Sequence, residues 1–519
     1  MARLYQILRA AGGRQTRSAP TSSSYLAGTS CGGTTSRLGE HRTVQTDQSS
    51  VWDHRSNLCA RPFHHDHDGL PSAILSRLSP LTVASVFTGT NANVIFALQG
   101  LRGLASSLVV LTHIARAFDG DLFLPASSAG AAPRLLQLPF LRILVQGRIG
   151  VTIFSFVTGY VCALKPIKLY RQNNQDAAFN AVAKSALRRV PRLIIPCSLA
   201  TVIIWFMAQL GMFLVGKSSD CWWCGKTAPD QMHNIFSGIN SLVFNIINTW
   251  THGANAYDGN QWTLLPLLRG SMQVYTFIVA TAYLQPRYRM IASLIVYFYF
   301  YIGGDSAFGM QFFWGVFLCD VQNSPAANEF LVRRPRISRV LAVIFLVLGL
   351  YVASYPEGHP EWATWSRWQY NVLSKIVPQN AEIPRFGSGI GLQLITLGLH
   401  FMPALRDVLS SKYLLWLGKQ SFAVYLLHGP LLRSVLCWMV YGIYVPPDIT
   451  NEAGEVLHGK LVFPGAARLL ISLPFWIPLN YGAAMLWTGY VDPWCANLTE
   501  KIVSYIMLPR DEKGALLPQ

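Results

Sequence analysis

The sequence predicts an all-α fold, a polytopic integral membrane bundle of about ten transmembrane helices. Three observations lead there. Of 519 residues 51% are hydrophobic and only 13% charged, whereas soluble domains carry about 25% charged residues. Apolar runs long enough for a ~30 Å hydrocarbon layer recur along the chain. Basic residues gather in alternate loops, the positive-inside pattern.

Residues 1 to about 90 form an arm rich in Ser, Thr, Gly and Arg with no periodic apolar pattern, read as a disordered cytosolic segment. Its start, MARLYQILRA, overlaps in composition with a mitochondrial transit peptide. The tract FHHDHD over 63–68 is expected to bind metal only adventitiously, and no dedicated metal site is expected.

The first apolar run, near 96–116, contains two ionisable residues, Arg102 and His113. An ionisable group in a bilayer costs at least ~2.5 kcal/mol and marks a functional site by default. Eleven helical steps return His113 to within about 20° of the face of Arg102, ~16 Å along the axis. The two share a face without touching, which suits one elongated ligand gripped at two points. The plainer alternative has Arg102 snorkelling to a headgroup and His113 bonding a neighbouring helix.

The second run, 149–164, carries Gly147, Gly150 and Gly159 in or beside it, spaced for close helix approach. The basic loop that follows holds Lys165, Lys168, Arg171, Lys184, Arg188, Arg189 and Arg192 against the acid Asp176. Such a cluster sets topology, and Arg188, Arg189 and Arg192 also suit an anionic ligand's phosphates. The third run spans 193–215. Beyond it CWWCG brings Cys221 and Cys224 together in a non-cytosolic loop, where a disulfide persists.

The remaining runs lie near 271–284, 290–302, 307–320, 337–354, 387–401, 413–443 and 465–490. Arg287 and Arg289, then Arg333, Arg334 and Arg336, then Arg406 and Lys412 lie between them on the basic side. The opposite loops carry Asp305, Asp448, Glu452 and Glu455. Both termini are therefore expected in the cytosol, with residues 496–519 as a tail in which the sequon at Asn497 goes unused. This alternation argues against nucleic acid as the partner of a chain with net charge +17.

LQGLRGLASSLVVLTH, GRIGVTIFSFVTGYVCALKP, RRVPRLIIP, QWT...RGS and LGKQSFAVYLLHGP occur in order over residues 91–495. In this the chain resembles fungal members of the membrane-bound acyltransferase family 3. The resemblance implies transfer of an acyl group, acetyl foremost, from a cytosolic acyl-CoA co-substrate to a hydroxyl, with no permanently bound cofactor. It makes His113 the general base, with Arg102 binding or orienting the donor. Arg188, Arg189 and Arg192 join Arg102 in holding acyl-CoA phosphates, while Trp262, Arg269, Tyr425 and His428 are expected to line the acceptor site. The acceptor expected is a small hydroxylated molecule such as a fungal secondary metabolite. An endomembrane or plasma-membrane location is expected ahead of mitochondria.

The family pattern breaks at QWTLLPLLRGS over 261–271, where Leu267 occupies the position of a Glu in similar fungal sequences. A carboxylate there would orient the histidine, and Asp258 is the nearest substitute. Leu267 also motivates the competing expectation of a catalytically impaired member acting as a membrane transporter or accessory protein.

Overall fold

The computed structural model describes residues 90–507, except 233, 448, 451–455 and 458. Residues 1–89 of the expected arm, the acids Asp448, Glu452 and Glu455, and the chain beyond 507 lie outside these residues. The described chain is almost entirely helical. Its helices are α1 (Thr90–Phe118), α2 (Arg148–Arg171), α3 (Gln175–Gln209), the short α4 (Leu214–Ser218) and α5 (Trp222–Thr227), and α6 (Ile235–Thr251). Then come α7 (Leu264–Ala280), α8 (Pro286–Ile302), α9 (Gly309–Gln322), α10 (Pro325–Arg333), α11 (Pro335–Ala353) and α12 (Thr364–Ile376). The last are α13 (Ile383–Phe401), α14 (Pro403–Leu409), α15 (Lys412–Leu431), α16 (Cys437–Tyr441), α17 (Ala466–Leu486) and α18 (Asp492–Ile506). A two-residue antiparallel ribbon, Ile449–Thr450 against Val456–Leu457, interrupts them.

By length and composition, six stretches among the described residues suffice to cross a membrane: Val94–Phe118, Arg148–Arg171, Gln175–Gln209, Pro335–Ala353, Lys412–Tyr441 and Ala466–Ile506. Counting α13 and α14 as one span, bent by 109°, makes seven. The chain is thus a multi-pass membrane protein. Three of the ten expected spans correspond to α7, α8 and α9, of 17, 17 and 14 residues. At ~1.5 Å per residue these fall short of a ~30 Å core.

The basic segment between the second and third runs is not a loop. The turn is only residues 172–174, with Asn173 at φ 55°, and α3 starts at Gln175, 18 residues before the expected 193. The Asn174 side chain caps it by accepting from the Ala177 amide. Pro191 and Pro196 sit within the helix rather than ending it. Lys184, Arg188, Arg189 and Arg192 therefore project from a helix, in fixed register with one another. At the other end α17 passes through a π-helical stretch, Trp487–Val491, into α18, which continues to Ile506. Residues 496–506, expected as tail, are helix.

Packing is closest where glycines face backbone. A Cβ on Gly159 of α2 would lie 2.1 Å from the Phe312 carbonyl oxygen of α9. A Cβ on Gly103 of α1 would lie 2.5 Å from the Gly418 nitrogen of α15. Backbones meet there as in tightly packed membrane bundles, so α1 is locked between α2 and α15. Arg289, expected in a basic loop, is instead buried in α8, where its Nε donates to Asp320 Oδ2 at 2.6 Å. Arg171 Nη2 reaches the same carboxylate at 2.6 Å, so one acid ties together α2, α8 and α9.

Candidate functional site

Arg102 and His113 both point from α1 into connected internal space. A cavity of about 720 Å³ is lined by Arg102, by Arg188, Arg189 and Arg192 of α3, and by Thr158, Ser185 and Tyr275. All four arginines expected to receive phosphates meet in this one volume. Their surroundings differ. Arg189 donates to Ser271 Oγ at 3.1 Å and to Thr158 Oγ1 at 3.3 Å. Arg188 and Arg192 both reach Glu500 of α18, at 2.6 and 3.1 Å. Arg102 has no carboxylate partner among the described residues.

Phe154, Thr263, Leu267 and Tyr425 line this cavity and also a throat of about 40 Å³ next to it. His113 stands on the far side of that throat. Beyond it His113, Asn260 and Trp262 pass into a further cavity of about 280 Å³, which also contains Trp223, Asp258 and Arg433. Trp262 and Arg116 additionally border a vestibule of about 350 Å³ holding Arg148, Glu357, Glu382 and Arg385. His113 therefore sits between two volumes, one basic and next to Arg102, the other on the opposite side of the throat.

Neither ring nitrogen of His113 is hydrogen-bonded among the described residues, and its Nδ1 is buried. Aromatic rings hold the imidazole instead: Trp223 lies 5.0 Å away between centroids and His428 lies 5.2 Å away. His428 is fully buried and its Nδ1–H donates to the Val424 carbonyl at 2.9 Å, leaving the lone pair on an unpartnered Nε2. Tyr425 shares a 2.8 Å hydrogen bond with Thr263 and donates to the Asn260 carbonyl, tying α15 to the loop before α7. Gly429 makes this approach possible: a Cβ there would lie 2.3 Å from the Asn260 side-chain nitrogen and 3.1 Å from Asp258 Oδ1.

The structure thus brings together Arg102, His113, Arg188, Arg189, Arg192, Trp262, Tyr425 and His428. Arg269 is left apart, exposed and donating to the Thr251 carbonyl at 3.1 Å, because it lies on the outer side of α7. Leu267 faces both the basic cavity and the throat, so the site has no carboxylate at that position. Asp258 lies in the cavity of His113 but is bound to Arg433 at 3.2 Å and makes no hydrogen bond to the histidine. Among the described residues no three His, Cys, Asp or Glu side chains converge as metal ligands.

Sequence reasoning missed three groups: Glu500, Trp223 and Arg433. Arg433 carried the same signal as Arg102, a charge inside an apolar run, and it is buried with donors to Gly429, Thr227, Tyr257 and Asp258. Trp223 carried no chemical signal beyond its place between Cys221 and Cys224, which form a disulfide.

Residues 95–447 match the model of acyltransferase family 3, described as an acyltransferase domain. The chain belongs to this family. Relatives agree with it. The chain is 26% identical over 379 residues to the O-acetyltransferase PaAT-1 of Phomopsis amygdali, covering 65% of this chain and 72% of that protein. It is 23% identical over 398 residues to the acyltransferase clz18 of Cochliobolus lunatus, covering 65% and 82%. No solved structure matches. This family 3 member is accordingly an acyltransferase of the membrane, with His113 and Arg102 in the helix that begins the matched region.

Proposed function

We propose that the protein moves an acyl group, acetyl foremost, from acyl-CoA to a hydroxyl of a small molecule, a fungal secondary metabolite in the leading reading. One observation carries this: four arginines share a cavity of about 720 Å³ whose throat ends at His113. Phosphates of the donor would rest on Arg102, Arg189 and the Arg188–Arg192 pair, with the pantetheine arm directed along α1. The thioester carbonyl would stop at the throat. The acceptor hydroxyl, entering from the opposite cavity, attacks that carbon while the His113 imidazole takes its proton. The C–S bond breaks, the ester leaves on the acceptor side, and the imidazolium returns its proton to the departing coenzyme A thiolate. An endomembrane or plasma-membrane location fits a cytosolic donor.

Purified protein in detergent should release coenzyme A from radiolabelled acetyl-CoA and form labelled ester in a His113-dependent way. Ester formation undiminished in His113→Ala would end this reading. A second reading, an impaired member acting as transporter or accessory protein, draws on Leu267 at the throat and the lack, among the described residues, of any carboxylate bonded to His113. Absence of His113-dependent turnover with every acceptor would favour it.

A further inference from the structure

The cavity of about 280 Å³ beside His113 is unusual in its balance of donors and acceptors. Asp258 is fully buried, and its Oδ1 accepts from Arg433 Nη2 at 3.2 Å and from the Asn260 amide at 3.3 Å. Its Oδ2 is buried with no hydrogen-bond partner. His113, which lines the same space, has an unpartnered buried Nδ1 of its own. The cationic donors nearby are already engaged: Arg433 bonds four oxygens and Arg116 is paired with Glu357 at 2.5 Å. The Trp223 and Trp262 rings supply apolar walls.

A buried carboxylate oxygen without a donor is costly. A ligand that fills this cavity must therefore bring hydrogen-bond donors, and more than one. An anionic acceptor would meet Asp258 as a like charge, and a hydrocarbon with a single hydroxyl would leave Oδ2 unsatisfied.

We infer that this cavity is the acceptor subsite and that it selects polyhydroxylated molecules, one hydroxyl presented to His113 and a second donating to Asp258 Oδ2. The inference rests on the acyl-transfer reading for what happens at His113, but not for the binding itself. Sites built to hydrogen-bond a hydroxyl discriminate strongly against analogues lacking it, because their own polar groups are left unpaired.

The test uses the full-length protein in detergent, with cyclohexanol and the 1,2-, 1,3- and 1,4-cyclohexanediols as probes, so that hydroxyl spacing is sampled around one ring. Ester formation from radiolabelled acetyl-CoA is measured alongside protection of His113 from diethylpyrocarbonate, read by mass spectrometry. The best diol should exceed cyclohexanol at least tenfold in kcat/KM and protect His113 at lower concentration. Asp258→Asn, checked for folding by size-exclusion elution, should abolish that preference. Equal turnover and equal protection by diols and cyclohexanol in the unmodified protein would overturn the inference without reference to any variant, as would a preference that survives in folded Asp258→Asn. If no ester forms while a diol still protects His113 selectively, the subsite stands and the acyl-transfer reading fails.

Discussion

The indole of Trp223 lies 5.0 Å from the imidazole of His113, and the Cys221–Cys224 disulfide closes the chain on either side of it. Cys224 is fully buried, and its amide donates to Cys221 Sγ at 3.0 Å. The sequence reading assigned this pair no function beyond an external crosslink. In the fold it fixes a wall of the imidazole's pocket, and with no carboxylate bonded to His113 such walls set the ring's orientation. Cys221→Ser combined with Cys224→Ser should lower kcat about tenfold, ~1.4 kcal/mol in the barrier. KM for acetyl-CoA should stay unchanged, because Trp223 does not line the arginine-lined cavity proposed to take the donor. Steady-state kinetics on both variables checks this.

Removing the proposed base and removing the proposed donor anchor should separate kinetically. His113→Ala should lower kcat by roughly 10²- to 10⁴-fold, the range of general-base catalysis. Arg102→Ala should act on KM for acetyl-CoA as well as kcat, and Arg102→Lys should restore part of the binding but not the planar guanidinium contact.

Glu500 competes with any phosphate for Arg188 and Arg192. Glu500 and Arg188 are about two-fifths exposed and Arg192 more than half, so the pairs contribute little to stability. Glu500→Gln should therefore leave the melting temperature nearly unchanged and lower KM for acetyl-CoA a few-fold, an effect that shrinks with added salt. A raised KM would contradict the placement of phosphates at these arginines.

Burial pushes the Asp258 carboxyl up to about 6, with Arg433 and the Asn260 amide pulling the other way. The surrounding titratable and charged groups are Arg433, His113, Arg116, Cys197 and Tyr425. An acid raised above its ordinary 3.8 favours the folded state when protonated, so its contribution to stability declines as pH rises from 3.8 through about 6. Its ability to accept a hydroxyl's hydrogen bond on either oxygen follows the opposite course. Selectivity for diol over cyclohexanol should weaken as pH falls below about 6, while the ratio for Asp258→Asn stays flat across the same range.

Asp320→Ala would leave Arg289, itself 1% exposed, without its counter-charge and free Arg171 as well. Breaking a buried pair in this way costs about 3–5 kcal/mol. A lowered melting temperature in detergent, with KM for acetyl-CoA unchanged in the folded fraction, is the expected result. Asp320 lies outside the cavities around His113, so its effect belongs to the scaffold.

Much of the site was legible because charges inside apolar runs are conspicuous. Arg102 and His113 announced themselves, the glycines of α2 foretold close packing, and Tyr425 with His428 marked the matching face of α15. The basic stretch before residue 193 misled because its charge reads as loop, whereas α3 runs through it unbroken from Gln175. Glu500 was invisible for a different reason: its partners lie 312 and 308 residues away. Arg269 matched its motif but lies on the outer side of α7, and a one-dimensional pattern says nothing of which way a short helix is rotated.

The throat between Arg102 and His113 has a consequence for the membrane as well as for catalysis. Two cavities large enough to hold several waters, joined end to end through a bundle, would be a leak for protons, and a histidine at the junction would carry them. At about 40 Å³, bordered by Phe154 and Leu267 and spanned by the Tyr425–Thr263 hydrogen bond, the junction is narrow and largely greasy. A leucine at position 267 adds no polar group to it. Leu267 puts an apolar side chain, not an ionisable one, beside His113 at this junction.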